Sequence, residues 1–204
     1  MTDTTDPRPT TRDRIKSVAQ DLYVLKGYDG FSFADIATAI GTTRANIHHH
    51  FGTKQALVEE LVEGFVDNAT QRIATHWGGT GIAASLSLQL DDLRRFYRRY
   101  NPNPDDRNVW SPLSRLRLDL PALGPLAQRA LERADRFYDT TITASVQAAI
   151  AAGELRPETP VADVARILRV TILSCAPMTQ DTGSFDELEN LFGALERTLL
   201  RAWG

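Results

Sequence analysis

Arg44, Ala45, Asn46, His48, His49 and His50 lie in one short stretch that begins at Thr43 and ends at Phe51, between Gly41 and Gly52. A helix over these residues advances about 100° per residue. With Ile47 and Phe51 turned to one side, Arg44, Ala45 and His48 therefore project from the other. Such a set suits the edges of base pairs in a major groove wide enough to admit a helix. A guanidinium can donate twice to guanine, an interaction worth about 1–3 kcal/mol of discrimination, while an alanine methyl can touch that of thymine. Thr43, Asn46, His49 and His50 flank this face, and Lys54 follows it. Their hydroxyl, amide, imidazole and ammonium groups suit phosphate oxygens, and Lys54 adds charge beside helix-terminal N–H groups that already favour anions.

Other chemistry fits these residues less well. Three neighbouring histidines on a helix diverge and cannot converge on one metal ion. The single cysteine, Cys175, excludes an intrachain disulfide framework and every multi-cysteine metal site; it reads as a small buried side chain. There is no Gly-x-Ser-x-Gly elbow, no supported Cys–His pair and no metal-carboxylate motif, so the sequence predicts neither an enzyme nor a cofactor. Gly78, Gly79, Thr80 and Gly81 mark a loop, without the Lys-Ser/Thr pair or preceding strand of a phosphate-binding loop. Arg94, Arg95, Arg98 and Arg99 alternate with aromatics, but helical phase places them on a solvated or partner-facing surface.

The elements that must position the reading face are helical throughout. Ile15, Val18, Ala19, Leu22 and Leu25 follow the helical period, with Thr10 or Thr11 as the cap and Gly27 placed to end the helix in left-handed geometry. Ser32 and Asp35 form a capping box ahead of a second helix that runs to Ile40, Gly41 supplies the exit, and Thr43 caps the third. Ile36, Ala37, Ile40, Ile47 and Phe51 then make a small shared core. Further helices are expected from about Leu57 to Ile73, from Ile82 to Tyr100 and from Trp110 to Leu120. Another runs from Leu123 to Ala152, one starts with Pro160 at its first position and ends before Pro177, and the last stands behind a capping box at Ser184–Glu187. The spacing thus predicts an all-α chain of about nine helices, with a tail over residues 1–10, a helix-turn-helix unit over 11–54 and a larger helical domain over 55–204.

Composition permits this. The chain has 204 residues, 42% of them apolar and 24% charged, which suits a packed core rather than disorder. No apolar run reaches the ~18 residues of a membrane span, and the N-terminus is acidic and Pro-containing with no apolar signal core, so the protein is expected in the cytoplasm. The formal charge is −3, and residues 1–54 hold seven basic residues against six acidic ones. Placement rather than bulk charge must carry any binding to nucleic acid.

Residues 11–60 resemble the N-terminal signature of the TetR/AcrR family of transcriptional repressors. The likeness lies in Gly30-Phe31-Ser32, the Ile36-Ala37 pair, the Gly41 turn, and a recognition helix that ends in His50-Phe51 before Lys54. The resemblance implies DNA contact by Ser32, Thr43, Arg44, Ala45, Asn46, His48, His49, His50 and Lys54. Ala34 stands where some members carry a basic base-contacting residue, and His48 where Tyr is usual. It further implies a homodimer through the last two helices, about 160–176 and 185–202, that holds a near-palindromic operator and releases it when a small molecule enters the second domain. Tyr97, Tyr100, Trp110, Tyr138 and Met178 are the expected pocket residues, suited to an apolar or amphipathic effector. An activator of the same architecture, or a helical ligand-binding protein or enzyme, is the alternative.

Overall fold

A computed structural model of the chain describes residues 9–79 and 81–204, so most of the expected N-terminal tail lies outside the described residues. Among the described residues there are ten helices and no strand, and no helix is long and apolar enough to cross a membrane.

Helix α1, Thr11–Lys26, starts at a reciprocal cap. The Thr10 hydroxyl accepts from the Asp13 N–H, and the Asp13 carboxylate accepts from the Thr10 N–H. Gly27 ends it with a positive φ of 75° but an extended ψ of 179°, not the expected left-handed cap. The next N–H, that of Tyr28, donates to Asp119 Oδ2 at 2.8 Å, and a Cβ on Gly27 would sit 3.1 Å from Asp119 Oδ1. Helices α2, Phe33–Ile40, and α3, Arg44–Phe51, follow the predicted caps, and Gly41 adopts left-handed φ 68°, ψ 43° between them. Ile15, Ala19, Ile36, Ala37, Ile47 and Phe51 are all buried. This is a three-helix head. Helix α4, Lys54–Trp77, leads out of it.

The rest comprises α5, Ile82–Tyr100; α6, Pro112–Leu118; α7, Leu120–Leu123; α8, Pro125–Ala151; α9, Val161–Thr182; and α10, Asp186–Trp203. Four differences from the sequence reading have physical causes. The tenth helix is α7, a single turn between Asp119 and Gly124 that is too short to show a period. Pro160 is the N-cap of α9 rather than its first residue. Helix α9 also continues through Pro177 to Thr182, with Gly183 as its C-cap. Pro177 lies on the exposed side, while Cys175, Ala176 and Thr179 are buried and the Thr179 hydroxyl accepts from Trp110 Nε1 at 2.7 Å, so packing overrides the missing N–H. The capping box at Ser184–Glu187 does not form. Phe185 is buried with helical backbone and itself becomes the N-cap, leaving the Ser184 hydroxyl to accept from the Asp186 N–H at 3.0 Å.

The terminal stripes turn inward. Leu188, Phe192 and Leu199 of α10 are buried as that helix packs on α5 and α9. Ile167 and Val170 of α9 remain 51% exposed each. Helix α6 ties the head to the remainder. Arg115 donates from Nε to Val24 O at 2.9 Å and from Nη2 to Leu25 O at 3.0 Å, while Asp119 Oδ2 accepts the Tyr28 N–H at 2.8 Å. Asp21 of α1 accepts from Arg99 at 2.8 Å and from the Tyr100 hydroxyl at 2.9 Å.

Because Ile47 is fully buried on a helix that packs against α2 and α4, Ile47→Ala should lower the unfolding free energy by about 2–5 kcal/mol. Exposed Ala45→Ser should change it by less than about 0.5 kcal/mol. Urea unfolding of both variants checks this, and an effect below about 1 kcal/mol for Ile47→Ala would contradict the head core described here.

Candidate nucleic-acid interface

Helix α3 presents the predicted face. Ile47 and Phe51 are buried, whereas Thr43, Arg44, Ala45, His48 and His49 are exposed and Asn46 and His50 half-buried. Among the described residues no partner engages the Arg44 guanidinium, so its donors point to solvent. Ala45 lies beside it with nothing but a methyl to offer.

The other predicted residues are held more tightly. The Thr43 hydroxyl caps α3 by accepting from the Asn46 N–H at 3.2 Å, and Asn46 Nδ2 donates to Thr42 Oγ1 at 2.9 Å. Asn46 thereby stiffens the turn, keeping its amide oxygen as the atom left to receive a hydrogen bond. His48 packs edge-on to Phe33, with ring centres 4.8 Å apart, and its Nδ1 lies 2.8 Å from Gly52 O. A carbonyl only accepts, so Nδ1 carries the hydrogen and Nε2 of the neutral ring is an acceptor directed outward. His49 and His50 stack edge to face at 5.6 Å. Among the described residues no group of three or more His, Cys, Asp or Glu side chains could hold a metal ion.

Ser32 and Lys54 differ most from expectation. The Ser32 hydroxyl donates to Asp35 Oδ2 at 2.6 Å, and the Ser32 N–H donates to the same oxygen at 2.7 Å. Lys54 Nζ donates to Phe31 O at 2.6 Å and rests 4.7 Å from the Tyr28 ring centre and 4.6 Å from that of Phe31. The ammonium thus braces the turn before α2, one residue from Ser32, instead of standing clear of the surface. Tyr28 and Thr42 are the supporting residues that the sequence reading missed. Thr42 stands four residues before Asn46, a spacing that could have marked it. Tyr28 meets Lys54 only through the fold.

The head carries further order on its inner side. Arg12 pairs with Glu60 of α4 through both nitrogens and lies 4.5 Å over the Phe51 ring. Arg14 donates to Ile40 O at 3.0 Å, closing the end of α2.

A cavity of about 250 Å³ lies among α4, α5, α6, α8 and α9. Trp110 and Tyr138 line it, as expected, but Tyr97, Tyr100 and Met178 do not. Helical phase explains the two α5 residues. That helix faces the cavity with Gln89, Asp92, Leu93 and Phe96, which turns Tyr97 onto Trp110 and Phe185, and Tyr100 onto Asp21. Met178 is half-buried on α9 past Cys175 and Ala176, the last residues of that helix to reach the wall. Burial pushes the Cys175 thiol up to about 12, so it stays protonated and donates to Thr171 O at 3.1 Å. Arg72, Asp92 and Arg117 line the cavity too, and their charge gave no hint of it in the sequence.

The sequence model of one family, described as bacterial regulatory proteins of the tetR family, matches residues 15–61. A helix-turn-helix transcriptional repressor from Rhodococcus jostii, KstR2, is 30% identical over 66 residues, covering 32% of this chain and 32% of that protein. The chain thus aligns with about a third of this curated relative's length. Among solved structures, a TetR-family transcriptional regulator from Agrobacterium tumefaciens superposes with a TM-score of 0.67 at 25% identity, over 94% of this chain and 96% of that one. A TetR transcriptional regulator from Legionella pneumophila gives a TM-score of 0.73 at 19% identity, over 93% and 97%.

The Ser32 side chain and then its backbone N–H hold the Asp35 carboxyl below the usual carboxylate range. A depressed folded-state value means that this contribution to stability is present above the ordinary Asp pKa and fades as pH falls through the lowered one. In Ser32→Ala, an NMR titration should show the Asp35 pKa rising toward the ordinary value. An unchanged value would contradict the cap geometry on which the start of α2 depends.

Proposed function

We propose that the chain is a member of the tetR family of bacterial regulatory proteins, as the match over residues 15–61 supports, and that it is a sequence-specific DNA-binding repressor whose α3 enters the major groove. The observation that carries this reading is the exposed, unengaged Arg44 guanidinium on a helix whose opposite side is locked by Ile47 and Phe51. A recognition helix needs that pairing of a fixed back and an open front. Arg44 reads guanine, His48 offers an outward acceptor when neutral, and Thr43, Asn46, His49 and His50 lie toward the phosphates. Ser32 and Lys54 act mainly by shaping the turn before α2, and the two remaining ammonium hydrogens of Lys54 are its means of meeting a phosphate. Residues 11–54 form the DNA-binding part and 55–204 the regulatory part, and the protein works in the cytoplasm, where the chromosome is.

In the same reading two copies pair through α9 and α10, and the cavity is the effector site. The exposed Ile167 and Val170 support the first. For the second, the support is the position of α6. Its Arg115 and Asp119 hold the end of α1, while Arg117, about half a turn away from each, lines the cavity. A ligand that prefers a shifted α6 would change the placement of the head and lower operator affinity by its differential affinity for the two arrangements.

Fluorescence titration against DNA from upstream of the protein's own gene tests the assignment. Arg44→Ala should remove most of the preference for this DNA over random duplex, a cost of about 1–3 kcal/mol for each guanine that the arginine reads. A preference that survives the change would sink the base-reading role. The pairing is tested by light scattering, in which the wild-type chain should run as a dimer and the Ile167→Glu/Val170→Glu variant as a monomer. A wild-type monomer, or a variant that still dimerises, would contradict it.

A further inference from the structure

Three arginines, Arg72, Arg99 and Arg117, and one acidic residue, Asp92, stand in the cavity wall. Two of the arginines have counter-ions. Arg72 Nε lies 3.0 Å from Asp92 Oδ2, with its guanidinium 4.3 Å over the Phe96 ring centre, and Asp92 is further claimed by Arg95 at 3.1 Å. Arg99 is held by Asp21 at 2.8 Å. Arg117 has no hydrogen bond or ion pair among the described residues.

The ionisable groups of α8 near Arg117 are Asp135 and Tyr138. Asp135 is already engaged by Arg169. Tyr138 is buried, and among the described residues its hydroxyl has no hydrogen-bond partner. Burial holds the Arg117 guanidinium below its ordinary value and pushes the Tyr138 phenol up, so the first is a cation poorly compensated by its surroundings and the second a neutral donor. Between them the wall offers donors and a positive charge, with no acceptor assigned to either. Phe65, Ile73, Trp110 and Ile172 supply an apolar part of the remaining wall, and Gln20, Asn68, Gln89, Ser111 and Ser114 a neutral polar part.

A partly buried cation beside an unused hydroxyl lacks an anionic group that only accepts. We propose that the cavity binds a small amphipathic carboxylate, its oxygens on the Arg117 guanidinium and the Tyr138 hydroxyl and its apolar body against Phe65, Ile73 and Trp110. The planar fork of Arg matches the two carboxylate oxygens. At about 250 Å³ the cavity lies just below the usual range of ligand pockets, which selects a compact anion over a nucleotide-sized one. This inference rests on the effector-site reading and names the chemistry of that ligand.

Calorimetric titration of the intact chain near neutral pH with octanoate, octanol and octylamine tests it. Octanoate should bind about ten- to hundred-fold more tightly than octanol, the worth of a charge-assisted hydrogen bond, and octylamine should bind more weakly than either. Arg117→Gln should remove the octanoate advantage while leaving octanol affinity as in the wild type, and Tyr138→Phe should lower octanoate affinity alone. Thermal melting of Arg117→Gln without ligand should match or exceed the wild type, because the arginine has no hydrogen-bond or ion-pair partner among the described residues. Failure of octanoate to bind, equal binding of octanoate and octanol, or an octanoate preference that survives Arg117→Gln would each overturn the proposal. A DNA titration separates it from the broader reading. Octanoate that binds through Arg117 without loosening DNA leaves the anion site standing and removes the effector role. An uncharged compound that releases DNA where octanoate does not bind does the reverse.

Discussion

Burial of Ile47 and Phe51 is the constraint on which the DNA-reading surface depends. Helix α3 has only eight residues and little intrinsic stability, so its orientation is set by two buried side chains as it packs against α2 and α4. Once those two are enclosed, the helical repeat leaves no choice about which residues meet solvent. Arg44, Ala45 and His48 are exposed by the geometry of the core and not by any property of their own. The caps at Ser32 and Thr43, the hydrogen bond from Lys54 to Phe31 and that from Asn46 to Thr42 then fix the turns on either side.

Besides α4, which leads out of it, the head is tied to the remainder by one short helix. Arg115 and Asp119 of α6 satisfy backbone groups at the end of α1, where a helix otherwise leaves carbonyls unpaired. The hydrogen bonds from Arg99 and Tyr100 to Asp21 add a second tie from α5. Both helices also contribute to the cavity wall. Packed elements of this kind move as units, so a change in cavity occupancy and a change in head placement draw on the same interactions.

Most of the fold was legible because it is written in local chemistry. Ser32 with Asp35, Thr43, Gly41 and the Ile47–Phe51 spacing announce the helix-turn-helix in order. Where the reading failed, the cause was tertiary. Pro177 should stop a helix, yet Trp110 holds Thr179 beyond it. Ser184 should cap one, yet burial of Phe185 shifts the start. Lys54 has the right type and place for a phosphate, but its partner Phe31 lies 23 residues earlier and could not be inferred from spacing. The cavity was the least legible part. Aromatic residues were the natural choice for its wall, whereas helical phase brings in Arg72, Asp92 and Arg117, whose meaning depends on which helices face one another.

Selection of base sequence by the α3 face is the central claim. Enrichment of the intact chain's targets from a pool of random duplex DNA, without added ligand, measures this most directly. The expected result is recovery of sites with two related half-sites, as two-fold pairing of the heads requires. Recovery of DNA with no sequence in common would contradict it.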